Sequence, residues 1–195
     1  MRLFLAIMPT AELAGQAAAV QERLRAAAGD DGIRWTRPEQ FHYTLKFLGE
    51  QSLARTRKVV EGALATTPAI APFDLTLAGV GGFPTEARPS VLWMGASDGA
   101  AAFAEFAAVL DMMLHQRGFG RETRSPKPHL TLARIKGYRG EAAAARALAT
   151  HSALVGEVGK FRVGGFALMQ SAPGPTGSAY SVVEQFTLIG SNDRA

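Results

Sequence analysis

Short segments that are apolar or alternate between apolar and polar residues occur along the whole chain, and each predicts a β-strand. The segments cover 3–7, 41–48, 73–77, 90–94, 128–135, 160–169 and 180–188. Between them, apolar residues recur every three or four positions, which is typical of helices with one buried face. These predicted helices cover about 10–29, 52–64, 100–116 and 141–150. Glycine and proline interrupt 79–84 and predict a loop over 171–178.

The tetrapeptide His-x-Thr-Leu occurs twice, at 42–45 and at 129–132, and the two copies lie 87 positions apart in a chain of 195 residues. The elements predicted around the copies follow a similar order, with a helix on each side of the motif strand and a strand pair at the end. We therefore predict that residues 1–195 form a single domain of two related lobes, each giving one motif strand to a shared cleft.

In the first motif strand, a period of two places His42, Thr44 and Lys46 on one face, and Tyr43 and Phe47 on the other. Polar side chains on a buried face would each need a buried partner, so the face with His42 is expected to border solvent or a site. A single copy of so short a motif is more typical of an ordinary surface strand. Because the motif is repeated at half-chain spacing, we favour a site.

The second motif strand repeats this arrangement, with His129 and Thr131 on one face and Leu130 on the other. Arg134 follows, and its guanidinium fork suits a phosphate. In a regular strand Arg134 would point away from Thr131, so we expect it to reach the site only past a bulge or a strand end.

The residue types of the two motifs fit the opening of a phosphodiester. Imidazole titrates near neutral pH, so one histidine can accept a proton while the other donates one. The hydroxyls of Thr44 and Thr131 can donate hydrogen bonds to the non-bridging phosphate oxygens. The candidate catalytic residues are therefore His42 and His129, and the candidate phosphate-binding residues are Thr44, Thr131 and Arg134.

Composition narrows the class of protein. Hydrophobic residues make up 47% and charged residues 19%, which is typical of a folded globular chain rather than a disordered one. The formal charge of +4 suits an anionic ligand without selecting nucleic acid. There is no cysteine, which excludes disulfides and thiolate nucleophiles. No apolar stretch approaches the roughly 20 residues that a membrane span needs, so we expect a soluble, cytoplasmic protein.

Metal binding is a weaker alternative for the histidines. The other two, His115 and His151, fall in or just after predicted helices, and no acidic residue flanks either motif at ligand spacing. We therefore expect no metal and no cofactor. Gly79–Gly82 contains three glycines but is not followed by a helix, and we interpret it as a bulge or turn rather than a phosphate loop.

The chain resembles the 2H phosphoesterase superfamily, which is named for paired His-x-Thr/Ser motifs. Within that superfamily it is similar to the bacterial and archaeal RNA 2′,3′-cyclic phosphodiesterases, which are also described as 2′-5′ RNA ligases. The similarity spans nearly the whole chain and includes Arg2–Ile7, Arg34–Trp35, Pro38–Glu39, His42–Glu50, Gly79–Pro84, Arg88–Trp93 and Pro128–Arg134.

The resemblance implies an α+β fold of two intertwined, pseudo-symmetric lobes, with antiparallel sheets around a central cleft and helices outside. It also implies a metal-independent hydrolysis of an RNA 2′,3′-cyclic phosphate to a 2′-phosphate. In the implied roles, His129 is the proton acceptor and His42 the proton donor, while Thr44, Thr131 and Arg134 hold the phosphate. The expected partners are RNA ends or small cyclic nucleotides, and the chain is expected to be a monomer.

Two other functions stay open at the level of sequence. The same site could join a 2′,3′-cyclic phosphate end to a 5′-hydroxyl and act as a 2′-5′ RNA ligase. The fold could also serve as a non-catalytic RNA-binding module, although two intact histidine motifs argue against this.

Overall fold

The computed structural model describes residues 1–123, 126–174 and 177–191, which form nine strands and four α-helices. The strands are β1 (Arg2–Ile7), β2 (Ile33–Trp35), β3 (Tyr43–Glu50), β4 (Phe73–Thr85), β5 (Arg88–Ala96), β6 (Leu130–Ile135), β7 (Glu157–Val163), β8 (Gly165–Gly174) and β9 (Gly177–Thr187). The α-helices are α1 (Ala11–Ala28), α2 (Leu53–Thr66), α3 (Ala100–His115) and α4 (Gly137–His151). Short 3₁₀ helices lie at Pro38–Gln40, Thr67–Ala69 and Ser152–Leu154.

The first two helices begin where the sequence offers a capping side chain. Thr10 accepts a hydrogen bond from the amide of Leu13 at 3.2 Å, and Ser52 accepts one from the amide of Arg55 at 3.3 Å. Each bond satisfies an amide that the first helical turn leaves without a backbone partner. Helix α1 ends at Gly29, whose φ of 74° lies in the left-handed region that glycine tolerates.

The nine strands pair antiparallel in the order β7-β4-β5-β6-β3-β1-β8-β9, and β2 adds to the end of β6. The two central strands, β3 and β6, carry the two motifs and meet through one residue pair, Tyr43 opposite Leu130. The two antiparallel sheets implied by the resemblance are thus joined into one. The α+β architecture with a central meeting of the motif strands is confirmed.

The helices cover one face of the sheet and enclose the main hydrophobic core. Helices α1 and α4 pack together under the half of the sheet containing β4, β5 and β7, while α2 and α3 pack together near β3 and β9. Alternate residues of β1 show the division, because Leu3, Leu5 and Ile7 join this core while Phe4 and Ala6 form a small cluster with β8. None of the described helices has the length and apolarity to cross a membrane.

Strand β4 is longer than predicted and runs through the glycine-rich segment. Gly79 has a φ of 64° and lies at a register shift, which is the expected bulge. Strand pairing then continues past it to Thr85. A Cβ on Gly81 would collide with the Trp93 ring, so glycine is required here by a close neighbour rather than by a turn.

Two other predicted boundaries were wrong, and one strand was not predicted. The segment predicted as one strand over 160–169 is two strands, β7 and β8, separated at Gly164, because β7 pairs with β4 while β8 pairs with β1 and β9 at the other end of the strand order. The predicted loop over 171–178 belongs largely to the arms of the β8–β9 hairpin, where Ser171 pairs with Tyr180, and its tip at 175–176 lies outside the described residues. Strand β2 has only three residues and was not predicted.

Candidate active site

A cleft lies on the face of the sheet that the helices leave open, above the junction of β3 and β6. Its volume is about 550 Å³. The five predicted site residues, His42, Thr44, His129, Thr131 and Arg134, all line it. Residues that sequence reasoning did not assign also line it, namely Arg2, Phe4, Arg34, Phe47, Phe83, Ser171, Ser178 and Tyr180.

The half-buried imidazole of His42 is fixed on three sides. Its Nδ1 lies 2.6 Å from the carbonyl oxygen of Gln40. Because a carbonyl only accepts, Nδ1 carries a proton, which leaves Nε2 as the ring nitrogen available to a ligand. The ring packs on Phe4, with centroids 4.9 Å apart, and meets Tyr180 edge-on at 5.3 Å.

His129 is held in the same manner by the residues just before its strand. Its Nδ1 lies 2.9 Å from the carbonyl oxygen of Lys127, two residues earlier, as Gln40 is two residues before His42. The ring of Phe83 meets it edge-on, with centroids 5.1 Å apart. Both histidines therefore have Nδ1 protonated, and in both Nε2 is the nitrogen free to act as acid or base.

The antiparallel pairing of β3 and β6 determines how the two motifs face each other. Because the strands are antiparallel and Tyr43 lies opposite Leu130, the position of His42 faces that of Thr131, and the position of Thr44 faces that of His129. Each imidazole therefore has the hydroxyl of the other motif beside it. A phosphate placed at the crossing would meet donors from both strands.

A bulge in β6 brings Arg134 to the same side as Thr131. Leu92 of β5 pairs with Ala133 and Trp93 pairs with Thr131, so Leu132 has no opposite residue. Leu132 and Ala133 are consecutive and both fully buried, and the alternation then resumes with Arg134 exposed. The sequence predicted that Arg134 could reach the site only past a bulge or a strand end, and this bulge is present.

The bulge is supported from the helical side. Gln21 of α1 is 3% exposed and donates through Nε2 to the carbonyls of Leu132 and Thr36, each at 2.7 Å. The Thr36 amide donates to the same Leu132 carbonyl at 2.8 Å. The backbone acceptor exposed by the irregular pairing is therefore satisfied inside the core, which stabilises this local geometry.

An equivalent bulge in β3 makes the predicted faces of that strand wrong beyond Leu45. Leu5 of β1 pairs with Lys46 and Ala6 pairs with Thr44, so Leu45 has no opposite residue. Lys46, expected beside His42, is instead 7% exposed on the helical side. Phe47, expected on the opposite face, lines the cleft with 66% of its surface exposed. The inserted residue reverses the alternation.

Lys46 ends in a buried polar cluster. Its Nζ lies 2.5 Å from Oδ1 of Asp111 on α3 and donates to the carbonyl of Gly120 at 2.8 Å. Asp111 also accepts from the amide of Glu122 at 3.1 Å and pairs with Arg121 at 3.0 Å. The cluster connects the first motif strand to α3 and to the segment that precedes the second motif.

Charge in the cleft favours an anion. Three arginines, Arg2, Arg34 and Arg134, line it with the two histidines, and no acidic side chain among the described residues does so. Burial lowers the pKa of the His42 imidazole below its usual value, and the positive charges of Arg134 and His129 lower it further, against the opposing hydrogen bond to Gln40. A bound anion would offset these charges.

The remaining candidates of the sequence lie elsewhere. His115 and His151 end α3 and α4, and their Nδ1 atoms contact the carbonyls of Phe119 and Ala147. In the described part of the chain, no group of three or more histidine and carboxylate side chains has the arrangement to hold a metal ion. Among the cleft residues that the sequence did not predict, Phe47 could have been found only by foreseeing the bulge in β3, and Arg34 only by foreseeing the addition of β2 to β6.

The chain matches a family model described as LigT like Phosphoesterase over residues 7–93 and 95–180. Each matched segment contains one copy of His-x-Thr-Leu. A protein named RNA 2′,3′-cyclic phosphodiesterase from Methanothermobacter thermautotrophicus is 31% identical over 187 residues, which cover 96% of this chain and 98% of that protein. A protein of the same name from Aquifex aeolicus is 32% identical over 158 residues, covering 80% and 82%.

Solved structures show the same architecture. The protein TT0787 of Thermus thermophilus superposes with a TM-score of 0.80 at 29% identity, covering 97% of this chain and 99% of that one. Escherichia coli LigT complexed with 3′-AMP superposes with a TM-score of 0.73 at 23% identity, covering 96% and 97%, which shows a shared fold.

Proposed function

Because the chain belongs to the LigT-like phosphoesterase family, we propose that it is an RNA 2′,3′-cyclic phosphodiesterase, which opens the cyclic phosphate at an RNA end to a 2′-phosphate. The observation that carries this proposal is the pair of imidazoles in one cleft, His42 and His129, each with Nδ1 directed to a backbone carbonyl. The names of the relatives from several organisms support hydrolysis rather than the ligase direction.

Binding of the cyclic phosphate uses groups from both motif strands. The hydroxyls of Thr44 and Thr131 donate to its non-bridging oxygens, and Arg134 offers two parallel N–H donors to the same oxygens. Because these donors are held by strands and a bulge, they are in place before the negative charge grows in the transition state. The side chain of Arg134 reaches them only because Leu132 is the bulge residue.

The reaction is an in-line displacement at phosphorus. Nε2 of His129 removes a proton from a water molecule, whose oxygen forms a bond to phosphorus. The bond between phosphorus and the 3′ oxygen breaks, and protonated Nε2 of His42 donates its proton to that leaving oxygen. The product carries a 2′-phosphate and a 3′-hydroxyl, and exchange of one proton with solvent returns both imidazoles to their starting states.

The lowered pKa of His42 affects its role as the acid. In the free protein the imidazole is driven toward its neutral form by burial and by the charges of Arg134 and His129. The negative charge of a bound cyclic phosphate opposes all of these charges and favours protonated His42. Substrate binding therefore supplies the proton donor in the place where it is needed.

Phe47 provides a face for the terminal base. Its ring is exposed in the cleft and occupies the position in β3 that Arg134 occupies in β6. Every base has a π-face, so stacking on Phe47 would hold the nucleoside without selecting its identity. We place the base over Phe47 and the phosphate at Arg134.

The assembly and location of the protein are also proposed. One chain supplies both histidines and all the phosphate donors, so we propose that residues 1–195 act as one two-lobed domain and as a monomer without a metal or cofactor. A cytoplasmic location stays a prediction.

Product analysis tests the proposed function. The protein is incubated with adenosine 2′,3′-cyclic phosphate and with a short RNA ending in a cyclic phosphate, each in excess EDTA, and the products are separated by chromatography. The His42→Ala/His129→Ala double variant is the blank. We expect 2′-phosphate products in EDTA. A 3′-phosphate product would contradict the assignment of the 3′ oxygen as leaving group, and no hydrolysis of either substrate would contradict the proposed function.

A further inference from the structure

The three-residue strand β2 places a second arginine beside Arg134. Arg34 lies directly opposite Arg134 in the antiparallel β2–β6 pair. Directly opposed residues of such a pair project to the same face of the sheet, with Cβ atoms about 4.5–5.5 Å apart. Both arginines line the cleft. The two guanidinium groups therefore point to the same side within reach of adjacent anionic groups.

Like charges in opposed positions destabilise a strand pair, and a nearby anion would offset this repulsion. Within residues 1–123, 126–174 and 177–191, no carboxylate forms an ion pair with Arg34 or with Arg134. The cleft itself has no acidic side chain among its described lining residues. An anionic ligand in the cleft would therefore reduce the repulsion between the two guanidinium groups.

A cyclic phosphate alone carries one negative charge, which Arg134 beside Thr131 already faces. We infer that Arg34 binds the phosphodiester on the 5′ side of the terminal nucleotide, so that the cleft selects RNA ends over free cyclic nucleotides. This inference rests on the proposed function. It adds a second phosphate subsite beside the first, and the ligand that fills both is a strand of RNA with at least two nucleotides.

The surroundings of Arg34 offer the upstream part of the RNA a path out of the cleft. Arg34 also lines a second groove of about 360 Å³, which contains Trp35, Thr36 and Arg37. Its side chain therefore lies where the two depressions meet. The groove also holds two carboxylates, Glu22 and Asp30, and both form ion pairs with Arg25. An RNA strand that leaves the cleft past Arg34 would enter this groove, where the guanidinium of Arg37 and the ring of Trp35 are groups that can hold single-stranded nucleic acid.

Two substrates that differ only in the upstream nucleotide and its phosphate separate this subsite from the catalytic one. They are adenosine 2′,3′-cyclic phosphate and the dinucleotide ApA with a 2′,3′-cyclic end, and kcat/KM is measured for each. The unaltered protein is expected to prefer the dinucleotide by at least about tenfold, the low range for a charge-assisted hydrogen bond. Arg34→Gln is expected to remove that preference, with a much larger loss of kcat/KM on the dinucleotide than on the mononucleotide.

Two comparisons control for charge and folding. Arg139→Gln removes an arginine of α4 whose side chain is 89% exposed. It should leave kcat/KM unchanged for both substrates. The salt dependence of kcat/KM on the dinucleotide should also become shallower in Arg34→Gln, because one phosphate contact is lost. Thermal unfolding of both variants shows whether the fold is intact.

The outcomes distinguish this inference from the proposed function. An equal loss on both substrates would overturn the inference and assign Arg34 to the cyclic phosphate itself. An unchanged preference for the dinucleotide in Arg34→Gln would overturn it as well. If the unaltered protein hydrolyses neither substrate, the proposed function fails, and the inference fails with it.

Discussion

Phe47 and Arg134 occupy equivalent positions, each the fifth residue after its motif histidine and each turned into the cleft by a bulge in its strand. The two halves of the cleft thus have the same bulge in the backbone but present different side chains. An aromatic face stands on one side and a guanidinium fork on the other. We propose that this difference gives a pseudo-symmetric site its direction, with the base toward β3 and the phosphate toward β6.

Phe47→Ala should weaken substrate use because the base loses its stacking partner. Stacking of a base on an aromatic ring contributes about 1–3 kcal/mol, so kcat/KM is expected to fall about fivefold or more. Steady-state kinetics with adenosine 2′,3′-cyclic phosphate measure the change. Tyr138→Ala, which removes an aromatic ring that is 81% exposed on α4, is the matched control and should have no effect. Equal kinetics for Phe47→Ala and the unaltered protein would exclude Phe47 as the platform.

The ionisation of His42 should respond to both Arg134 and the ligand. In the free protein, the pKa of His42 followed by NMR is expected below the usual value of about 6.5, because burial and nearby positive charge disfavour the imidazolium. Arg134→Gln should raise that pKa, and bound 2′-AMP should raise it in the unaltered protein. A His42 pKa that is insensitive to both would contradict this account.

The pH dependence of the rate should be bell-shaped around neutral pH. One imidazole must be neutral and the other protonated, so kcat/KM falls on both sides of an optimum. The two apparent pKa values belong to the pair and not to either histidine alone. The profile is measured from about pH 5 to about pH 9.5 with adenosine 2′,3′-cyclic phosphate. A rate that rises continuously through about pH 9 would count against paired imidazoles.

The buried ion pair behind β3 should contribute to stability in a pH-dependent manner. Burial raises the pKa of the Asp111 carboxyl, but hydrogen bonds from Lys46 and the Glu122 amide, with the charges of Lys46 and Arg121, leave it below its usual value. A lowered folded-state pKa means that the stabilisation is present above the unfolded pKa of about 3.9. It is lost as the pH falls through the folded pKa.

Asp111→Asn should therefore destabilise the protein by about 3 kcal/mol at pH 7, since it leaves the buried Lys46 ammonium without its counterion. The difference from the unaltered protein should shrink near pH 3. Urea unfolding at both pH values measures it. Asp74→Asn, which removes a more exposed carboxylate paired with Lys160 and Arg162, is the control and should destabilise the protein much less, because exposed ion pairs are screened by solvent. Equal costs for the two variants would contradict a special role for the buried pair.

The sequence predicted the helices and most of the strands because their signals are local. A capping residue such as Thr10 and the spacing of apolar residues along α1 depend only on neighbouring positions. The repeated motif predicted the meeting of β3 and β6, since two copies at half-chain spacing imply equivalent places in two lobes. The fold class was predicted from the resemblance to a known family.

Strand pairing explains what the sequence did not predict. Regular alternation of side chains does not show where a bulge inserts an extra residue. Lys46 and Phe47 were therefore assigned to the wrong faces of β3. The bulge in β6 was stated only as a condition for Arg134, and the bond that supports it, from Gln21 to the Leu132 carbonyl, joins residues far apart in the chain. Arg34 enters the cleft only because β2 pairs with β6.

Single histidine variants test the central claim most directly, namely that His42 and His129 are the acid and base of one cleft. The rate of hydrolysis of adenosine 2′,3′-cyclic phosphate is measured for His42→Ala, His129→Ala and the control His151→Ala, with thermal unfolding to verify the fold. Each motif variant should lose at least about a hundredfold in kcat, the low range for lost general acid–base catalysis, while His151→Ala keeps full activity. If either motif variant retains more than half of the activity, that histidine is not part of the mechanism and the paired-imidazole account is wrong.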